Sequence, residues 1–184
     1  LPKVDIIIHL AAKTFVPDSF LKPREYYINN INSTINILEK AKIDNSKVIF
    51  FSTYVYGQPE YLPIDENHPK NPMNPYTESK VLCEKLCFSY HRDFDVPVTI
   101  FRPFNIYGPN QNEFFFIPSI INQLDKKIIK LADSRPKRDF LFISDLVEAV
   151  YLEIINGSKS FNIYNLGSGR STYIKDVVNN IIKF

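Results

Sequence analysis

A tyrosine and a lysine stand four residues apart at a predicted helix start, where together they could act as a general base. Asn74 suits the N-cap and Pro75 the first helical position, so Tyr76 and Lys80 should lie one turn apart on one face. A phenol titrates near pH ~10 in water, and a nearby ammonium favours the phenolate, which can take the proton of a substrate hydroxyl. The alternative is a solvated lysine beside a surface tyrosine, since a chain with 11 tyrosines contains such a spacing by chance.

Composition and charge narrow the class of protein. With 45% hydrophobic and 23% charged residues, the 184-residue chain has the composition of a globular protein with one core. Its net charge of +2 comes from interspersed signs and its apolar runs are too short to span a bilayer, so neither a nucleic-acid nor a membrane partner is expected. Cys83 and Cys87 are predicted to be buried free thiols on one helix, which indicates a reducing, cytoplasmic compartment and gives a weak case for zinc.

Short apolar strands alternate with helical patterns, which predicts an α/β fold with a parallel sheet and crossover helices. The predicted strands cover residues 4–8, 48–51, 98–102 and 161–166, with a small further strand at 127–131. The predicted helices cover residues 23–41, a stretch from Pro75, residues 118–126, residues 144 or 145 to 156, and a stretch capped at Ser171 or Thr172. Asn29 and Asn32 are predicted on the inner side of the first of these helices.

Ligands of parallel sheets bind beyond the carboxyl ends of the strands. Ala11, Ser52 and Asn105 all follow predicted strands at that edge. His9 ends the first strand, and we interpret it as a structural side chain rather than as an acid or ligand. Gly167 and Gly169 precede a helix but lack a third glycine, so we expect a turn there rather than a phosphate-binding loop.

Six motifs occur in one order along the chain, and as a set they resemble the extended short-chain dehydrogenase/reductase family of NAD-dependent nucleotide-sugar epimerases and dehydratases. The motifs are His9-Leu10-Ala11-Ala12, Asn29 with Asn32, Ser52 with Val55-Tyr56-Gly57, Pro75-Tyr76-x-x-x-Lys80, Arg102-Pro103-x-Asn105 with Tyr107-Gly108-Pro109, and Arg138-Asp139-Phe140. The resemblance implies a partial Rossmann-like parallel sheet with a small substrate-binding lobe. Residues 1–109 would form the C-terminal part of a dinucleotide-binding domain, residues 110–145 the lobe, and residues 146–184 the returning strand and helices.

The resemblance implies a catalytic role for three side chains. Tyr76 would be the base that takes the sugar hydroxyl proton, and Lys80 would hold the nicotinamide ribose and keep Tyr76 acidic. A hydroxyl at the end of the second strand would bind the reacting oxygen. Counting back five residues from Gly57 selects Ser52 for this role, whereas a register change of one residue selects Thr53.

The resemblance also implies where the cofactor and substrate bind. The cofactor-binding positions are Leu10, Ala11, Ala12, Asn29, Tyr76, Lys80 and Pro103. Asn105 and Arg138 match positions that bind the diphosphate of a nucleotide-sugar substrate, where a guanidinium fits two phosphate oxygens. A homodimer through the helices that hold Asn29 and Tyr76 is a further implication.

The glycine-rich turn that binds the cofactor pyrophosphate in this family, and the acidic residue after that turn, have no counterpart in the sequence, which begins at Leu1. We therefore expect a fragment of a longer protein that binds NAD poorly or not at all by itself. Without the acidic residue the choice between NAD and NADP stays open.

The two residues after the strand-end hydroxyl bear on the type of reaction. Dehydratases of the family have an Asp-Glu pair there, whereas this chain has Tyr54 and Val55, which favours a sugar 4-epimerase over a dehydratase. A nucleotide-sugar reductase or decarboxylase is the next alternative. A hypothesis of another class is a non-catalytic scaffold, although the presence of Ser52, Tyr76 and Lys80 together argues against it.

Overall fold

The computed structural model describes residues 2–183 and divides into two compact units. The first unit contains Leu1–Pro103 and Tyr151–Asn165, and the second contains Phe104–Val150 and Leu166–Phe184. The elements, in chain order, are β1 (Ile6–His9), α1 (Val16–Leu21), α2 (Pro23–Asp44), β2 (Lys47–Phe51), α3 (Pro75–Phe94), β3 (Val98–Pro103), β4 (Asn105–Tyr107), α4 (Phe116–Ile121), β5 (Lys137–Phe142), α5 (Ile143–Asn156), β6 (Phe161–Leu166), β7 (Ser171–Tyr173) and α6 (Ile174–Lys183).

A four-stranded sheet with the order β1-β2-β3-β6 organises the first unit. β1 pairs with β2 and β2 pairs with β3, both in parallel. Every residue of β2 and β3 is buried, as expected for β-branched and aromatic runs that are covered on both faces. The α/β fold with a parallel sheet is therefore confirmed, and the carboxyl ends of β1, β2 and β3 lie at one edge.

Helix α2 buries a different face from the predicted one. Its buried stripe consists of Tyr26, Asn30, Thr34, Leu38, Ala41 and Asp44. The prediction that Asn29 and Asn32 lie on the inner side is wrong, because both are exposed while Asn30 is 1% exposed. Asn30 and Thr34 can occupy the inner stripe because each is hydrogen-bonded to a buried side chain, Ser79 and His9 respectively, and hydrophobic periodicity does not detect such partners.

Helix α3 begins as its sequence predicts. The Asn74 side chain accepts from the Thr77 backbone N–H at 2.9 Å, and the Thr77 hydroxyl accepts from the Asn74 N–H at 3.3 Å, which completes a capping box. Pro75 occupies the first turn. This cap fixes the first turn of the helix, which holds Tyr76.

The second unit contains a three-stranded sheet with the order β4-β5-β7. β4 and β5 are parallel, and β5 and β7 are antiparallel. None of these strands was predicted, because each is short or polar and depends on partners distant in sequence. The small strand predicted at 127–131 is wrong, and the last helix begins at Ile174 because Ser171 and Thr172 belong to β7. Among residues 2–183, no helix is long and apolar enough to cross a membrane.

Candidate active site

The Tyr76 phenol lies at the carboxyl edge of the first unit's sheet and is hydrogen-bonded to the Thr53 hydroxyl. Tyr76 is 9% exposed and Thr53 is half-buried. Thr53 lies just after the end of β2, and Tyr76 belongs to the first turn of α3. Two groups that are 23 positions apart in the sequence are thereby joined at one point.

The protonation of Tyr76 differs from the expectation that Lys80 makes it acidic. Burial raises the pKa of Tyr76 above the ordinary value of a phenol, and the hydrogen bond with Thr53 offsets this only in part. The positive charge of Lys80 is not among the causes that shift the pKa of Tyr76. The phenol of the protein alone is therefore protonated at neutral pH, and Thr53 rather than Lys80 is the neighbour that favours its ionisation.

Lys80 is buried one turn after Tyr76 and is 4% exposed. Its Nζ lies 4.3 Å from the centroid of the Phe50 ring in β2, a cation–π contact. Burial lowers the pKa of Lys80 to about 8, against the smaller raising effects of Cys83, Cys87 and Glu84. Burial has therefore weakened the preference of Lys80 for its charged form.

His9, at the end of β1, is buried and contacts Thr34 and Phe50. Its Nε2 lies 3.0 Å from Thr34 Oγ1, and because Thr34 donates its own proton to the Asn30 carbonyl, His9 Nε2 is the donor. The His9 ring also lies 5.5 Å from the Phe50 ring, centroid to centroid. Burial, with a smaller contribution from the charge of Lys80, lowers the pKa of His9 to about 4.

The lowered pKa of His9 should make the stability of the protein depend on pH. Between pH 6.5 and about 4 an unfolded histidine takes up a proton that native His9 resists, so the free energy of unfolding should fall as the pH falls through this window. The loss attributable to this group should reach about 3 kcal/mol. Chemical unfolding at several pH values, compared between the parent and His9→Gln, measures it. Parallel pH curves for the two proteins would contradict this assignment.

The Ser52 hydroxyl is engaged away from Tyr76. Ser52 Oγ donates to Glu84 Oε1 at 2.6 Å, and the two residues are 4% and 2% exposed. Neighbouring side chains of an extended segment point in different directions, so only one of the two hydroxyls after β2 can meet Tyr76. The structure brings Thr53 to Tyr76 and buries Ser52 against α3.

The cofactor positions implied by the resemblance fall in two environments. Leu10 is 63% exposed and Ala11 is also exposed, so the backbone after β1 is open to a ligand at the same edge. Pro103 is buried at the end of β3.

Asn29 is exposed on α2. The neighbouring Asn30 is buried and links the segment after β1 to α3. Asn30 Oδ1 accepts from the Lys13 N–H at 2.8 Å, and Asn30 Nδ2 donates to Ser79 Oγ at 2.9 Å. The sequence analysis did not select Asn30, because a buried amide does not contribute to a hydrophobic periodicity.

The second unit places Asn105 and Arg138 on paired strands. Asn105 lies opposite Phe140 in the register of β4 and β5, and its Nδ2 donates to the Asp139 carbonyl at 2.8 Å. Arg138 is exposed, and its guanidinium donates only to the neighbouring Lys137 carbonyl, at 2.9 Å, among the described contacts. The guanidinium therefore retains donors for an anionic ligand.

Asp139 holds the turn that contains Gly167 and Gly169. Its Oδ1 accepts from the Ser168 N–H at 2.8 Å, and its Oδ2 accepts from the Gly169 N–H at 2.9 Å. Gly169 has a φ of +74°, which a glycine adopts without strain. Because the backbone N–H groups of Ser168 and Gly169 serve a carboxylate of the protein, the segment is a turn, as its incomplete glycine pattern predicts.

Comparison with known proteins identifies the family to which the chain belongs. Residues 1–167 match the NAD dependent epimerase/dehydratase family. The chain belongs to this family. Its members include the short-chain dehydrogenase/reductase type of nucleotide-sugar enzyme that the motifs resemble.

Individual relatives of this epimerase/dehydratase chain differ in reaction. The dTDP-D-glucose 4,6-dehydratase of Dictyostelium discoideum is 37% identical over 195 residues, which cover 98% of this chain and 45% of that protein. The UDP-glucose 4-epimerase of Lactobacillus helveticus is 31% identical over 188 residues, which cover 90% of this chain and 57% of that protein. The structure of RMD from Pseudomonas aeruginosa complexed with NADPH has a TM-score of 0.89 and 30% identity, over 96% of this chain and 64% of that one. The chain thus spans less than two thirds of the length of each.

Proposed function

We propose that this chain carries the catalytic centre of an NAD-dependent nucleotide-sugar 4-epimerase. The observation that supports this most directly is the buried Tyr76 phenol bonded to Thr53, with the buried ammonium of Lys80 one turn later on the same helix. Membership of the epimerase/dehydratase family supports the nucleotide-sugar class of substrate. As the resemblance implies, we further propose a homodimer in the cytoplasm.

Thr53 is the strand-end hydroxyl that we assign to the reacting oxygen, in place of Ser52. Thr53 is half-buried and touches Tyr76, whereas Ser52 is 4% exposed and bonded to Glu84. A group that binds substrate has to be reachable from the ligand side and within hydrogen-bond distance of the same oxygen as the base. The partial exposure of Thr53 and its hydrogen bond with the Tyr76 phenol support this assignment.

The protein residues move a proton and hold the sugar in place. Tyr76 takes the proton of the C4 hydroxyl and returns it, while Thr53 hydrogen-bonds the same oxygen throughout. A bound nicotinamide cofactor supplies the acceptor for the C4 hydride and, in its oxidised form, a positive charge that favours loss of the phenol proton. Epimerisation is complete when the 4-keto sugar turns its other face and the hydride is returned to it.

The residues at the strand ends fit a dinucleotide. We propose that the backbone of Leu10 and Ala11, which are exposed, and of Ala12, which is half-buried, lies against the cofactor. We also propose that Lys80 donates to the hydroxyls of the nicotinamide ribose. The family is described as NAD dependent, and the Pseudomonas aeruginosa structure holds NADPH, so both cofactors should be tested. In the second unit, Asn105 and the exposed Arg138 are the proposed donors to the substrate diphosphate.

Epimerisation is favoured over dehydration by the residues after Thr53. Elimination of water needs an acid and a base beside the sugar, the role of the Asp-Glu pair in the dehydratases of the family. Here the Tyr54 hydroxyl donates to the Gly57 carbonyl at 2.9 Å, and Val55 is fully buried. Neither side chain can replace a carboxylate.

Product analysis in deuterated water tests the proposal. The protein that carries this chain is incubated with NAD or NADP and a panel of UDP-, GDP- and dTDP-sugars, and the products are identified by NMR. The expected product is the 4-epimer without deuterium on carbon, because the hydride returns to the carbon that it left. A 4-keto-6-deoxy product carrying solvent deuterium would indicate a dehydratase instead. If the parent turns over none of these sugars, and Tyr76→Phe gives the same result as the parent in this assay, the scaffold hypothesis would be supported.

A further inference from the structure

A buried carboxylate on α3, that of Glu84, accepts hydrogen bonds from three other segments of the first unit. Glu84 Oε1 accepts from Ser52 Oγ at 2.6 Å and from Arg102 Nε at 2.9 Å. Glu84 Oε2 accepts from an Arg102 terminal nitrogen at 2.7 Å and from Lys70 Nζ at 3.1 Å. The four bonds come from the end of β2, from β3 and from the loop that leads to α3.

Arg102 extends this network to the loop before α3. Its remaining terminal nitrogen donates to the Tyr56 hydroxyl at 2.8 Å and to the Glu66 carbonyl at 3.1 Å. The Tyr56 hydroxyl in turn donates to Asn165 Oδ1 at 2.5 Å. Arg102 is 1% exposed, so these bonds are made out of contact with water. Buried hydrogen bonds thus connect the segments that carry Thr53 and Tyr76.

The position of Glu84 on α3 relates it to the catalytic side chains. It lies four residues after Lys80 and eight after Tyr76, so the three residues share one face of the helix. Ser52, which donates a hydrogen bond to Glu84, directly follows β2 and is the residue immediately before Thr53. The Glu84 carboxylate therefore joins α3 to the end of β2 next to the place where Thr53 contacts Tyr76.

Stability alone does not account for a charged pair in this place. Burying a carboxylate and a guanidinium costs desolvation energy, and apolar residues of the same volume are often at least as stabilising. A hydrogen-bonded ion pair also fixes the relative position of the two segments that carry it, because each hydrogen bond is made at a defined distance and angle. Catalysis by a positioned base is sensitive to displacements of this size.

We propose that Glu84 is a positioning residue for catalysis and that Ser52 acts through it, holding the Thr53 hydroxyl against the Tyr76 phenol. This inference rests on the proposed function, in which Tyr76 is the base. It assigns Ser52 an indirect role: loss of its hydroxyl should disturb the Thr53–Tyr76 bond without removing any group that touches the substrate.

Turnover of four variants tests the proposal in the protein that carries this chain. Ser52→Ala should lower kcat about 10- to 100-fold while KM stays within about twofold, because binding groups are intact and only the placement of the base changes. Ser52→Ala added to Glu84→Gln should cause no further loss beyond Glu84→Gln alone, since both act on one contact. Ser89→Ala is the matched control: it removes a hydroxyl bonded at 3.0 Å to the Asp93 carboxylate on the same helix and should leave kcat unchanged.

A readout without substrate separates this inference from the proposed function. The carbon-13 signal of the Tyr76 ring, assigned by its loss in Tyr76→Phe, reports the phenol pKa, which should rise in Ser52→Ala because the Thr53 bond lowers it in the parent. The signal should not move in Ser89→Ala. If Ser52→Ala changes neither this pKa nor kcat, the positioning role is wrong, even where Glu84→Gln does not fold. A shifted Tyr76 pKa in a protein that turns over no sugar would overturn the proposed function and leave the positioning geometry in place.

Discussion

Tyr76→Phe should lower turnover of the preferred nucleotide-sugar by about 10²–10⁴-fold, the contribution of a positioned general base. The substitution removes one oxygen atom from a side chain that is 9% exposed, and the ring itself continues to fill its site. The Thr53 hydroxyl and Lys80 stay in the protein, so binding of the cofactor should be retained. The measurement is kcat from initial rates, with cofactor affinity determined separately by fluorescence titration.

Tyr90→Phe provides the matched control for this loss. Tyr90 lies on the same helix, and its hydroxyl donates to Glu39 on α2, which raises the pKa of Tyr90 to about 12. Removing this phenol should leave turnover unchanged. Equal activity of Tyr76→Phe and the parent would show that the Tyr76 phenol is not the base, whatever its contact with Thr53.

Arg102→Met should destabilise the fold by about 3–5 kcal/mol, the usual cost of leaving one member of a buried ion pair without its partner. Burial by itself would raise the pKa of Glu84, but the hydrogen bonds and charge of Arg102, the Ser52 bond and the charge of Lys70 together lower it. Without Arg102 the carboxylate is left buried with too few donors. The free energy of unfolding in urea, measured at neutral pH, gives the loss directly.

Two comparisons identify the origin of that loss. Arg92→Met removes an exposed ion pair with Asp93 in the same unit, and it should cause no measurable change in stability. The double variant Arg102→Met with Glu84→Leu removes both charges and should regain much of the stability lost in the single variant. If Arg102→Met is as stable as the parent, the Glu84 carboxylate must be satisfied by other donors, and its network cannot carry the rigidity assigned to it.

The main strands and the two long helices of the first unit were predictable because their information is local. The buried strands at Lys47–Phe51 and Val98–Pro103 are continuous apolar runs, and the start of α3 is specified by the capping sequence from Asn74 to Thr77. The strands of the second unit were not predictable in this way. β4 has three residues and β7 is polar, and each becomes a strand only because β5 offers it a partner from another part of the chain.

The residues of the site show the same division. The Tyr76 and Lys80 pair could be found from its spacing, since four residues are one turn of a helix. Glu84 also has the right spacing, but a carboxylate on a helix is usually solvated, and nothing local shows that Arg102 will meet it from a strand. Asn30 was missed for the related reason that a buried amide has no hydrophobic signature.

The sequence by itself determined the alternation of the four main strands with the long helices, the start of α3 and the family that the motifs resemble, since these depend on residue type and spacing along the backbone. Only the tertiary structure decided that Thr53 rather than Ser52 meets Tyr76, and that burial raises the pKa of the phenol. Both outcomes depend on which groups from different elements come within hydrogen-bond distance and on how much water they exclude. Those quantities exist only once the elements have packed together.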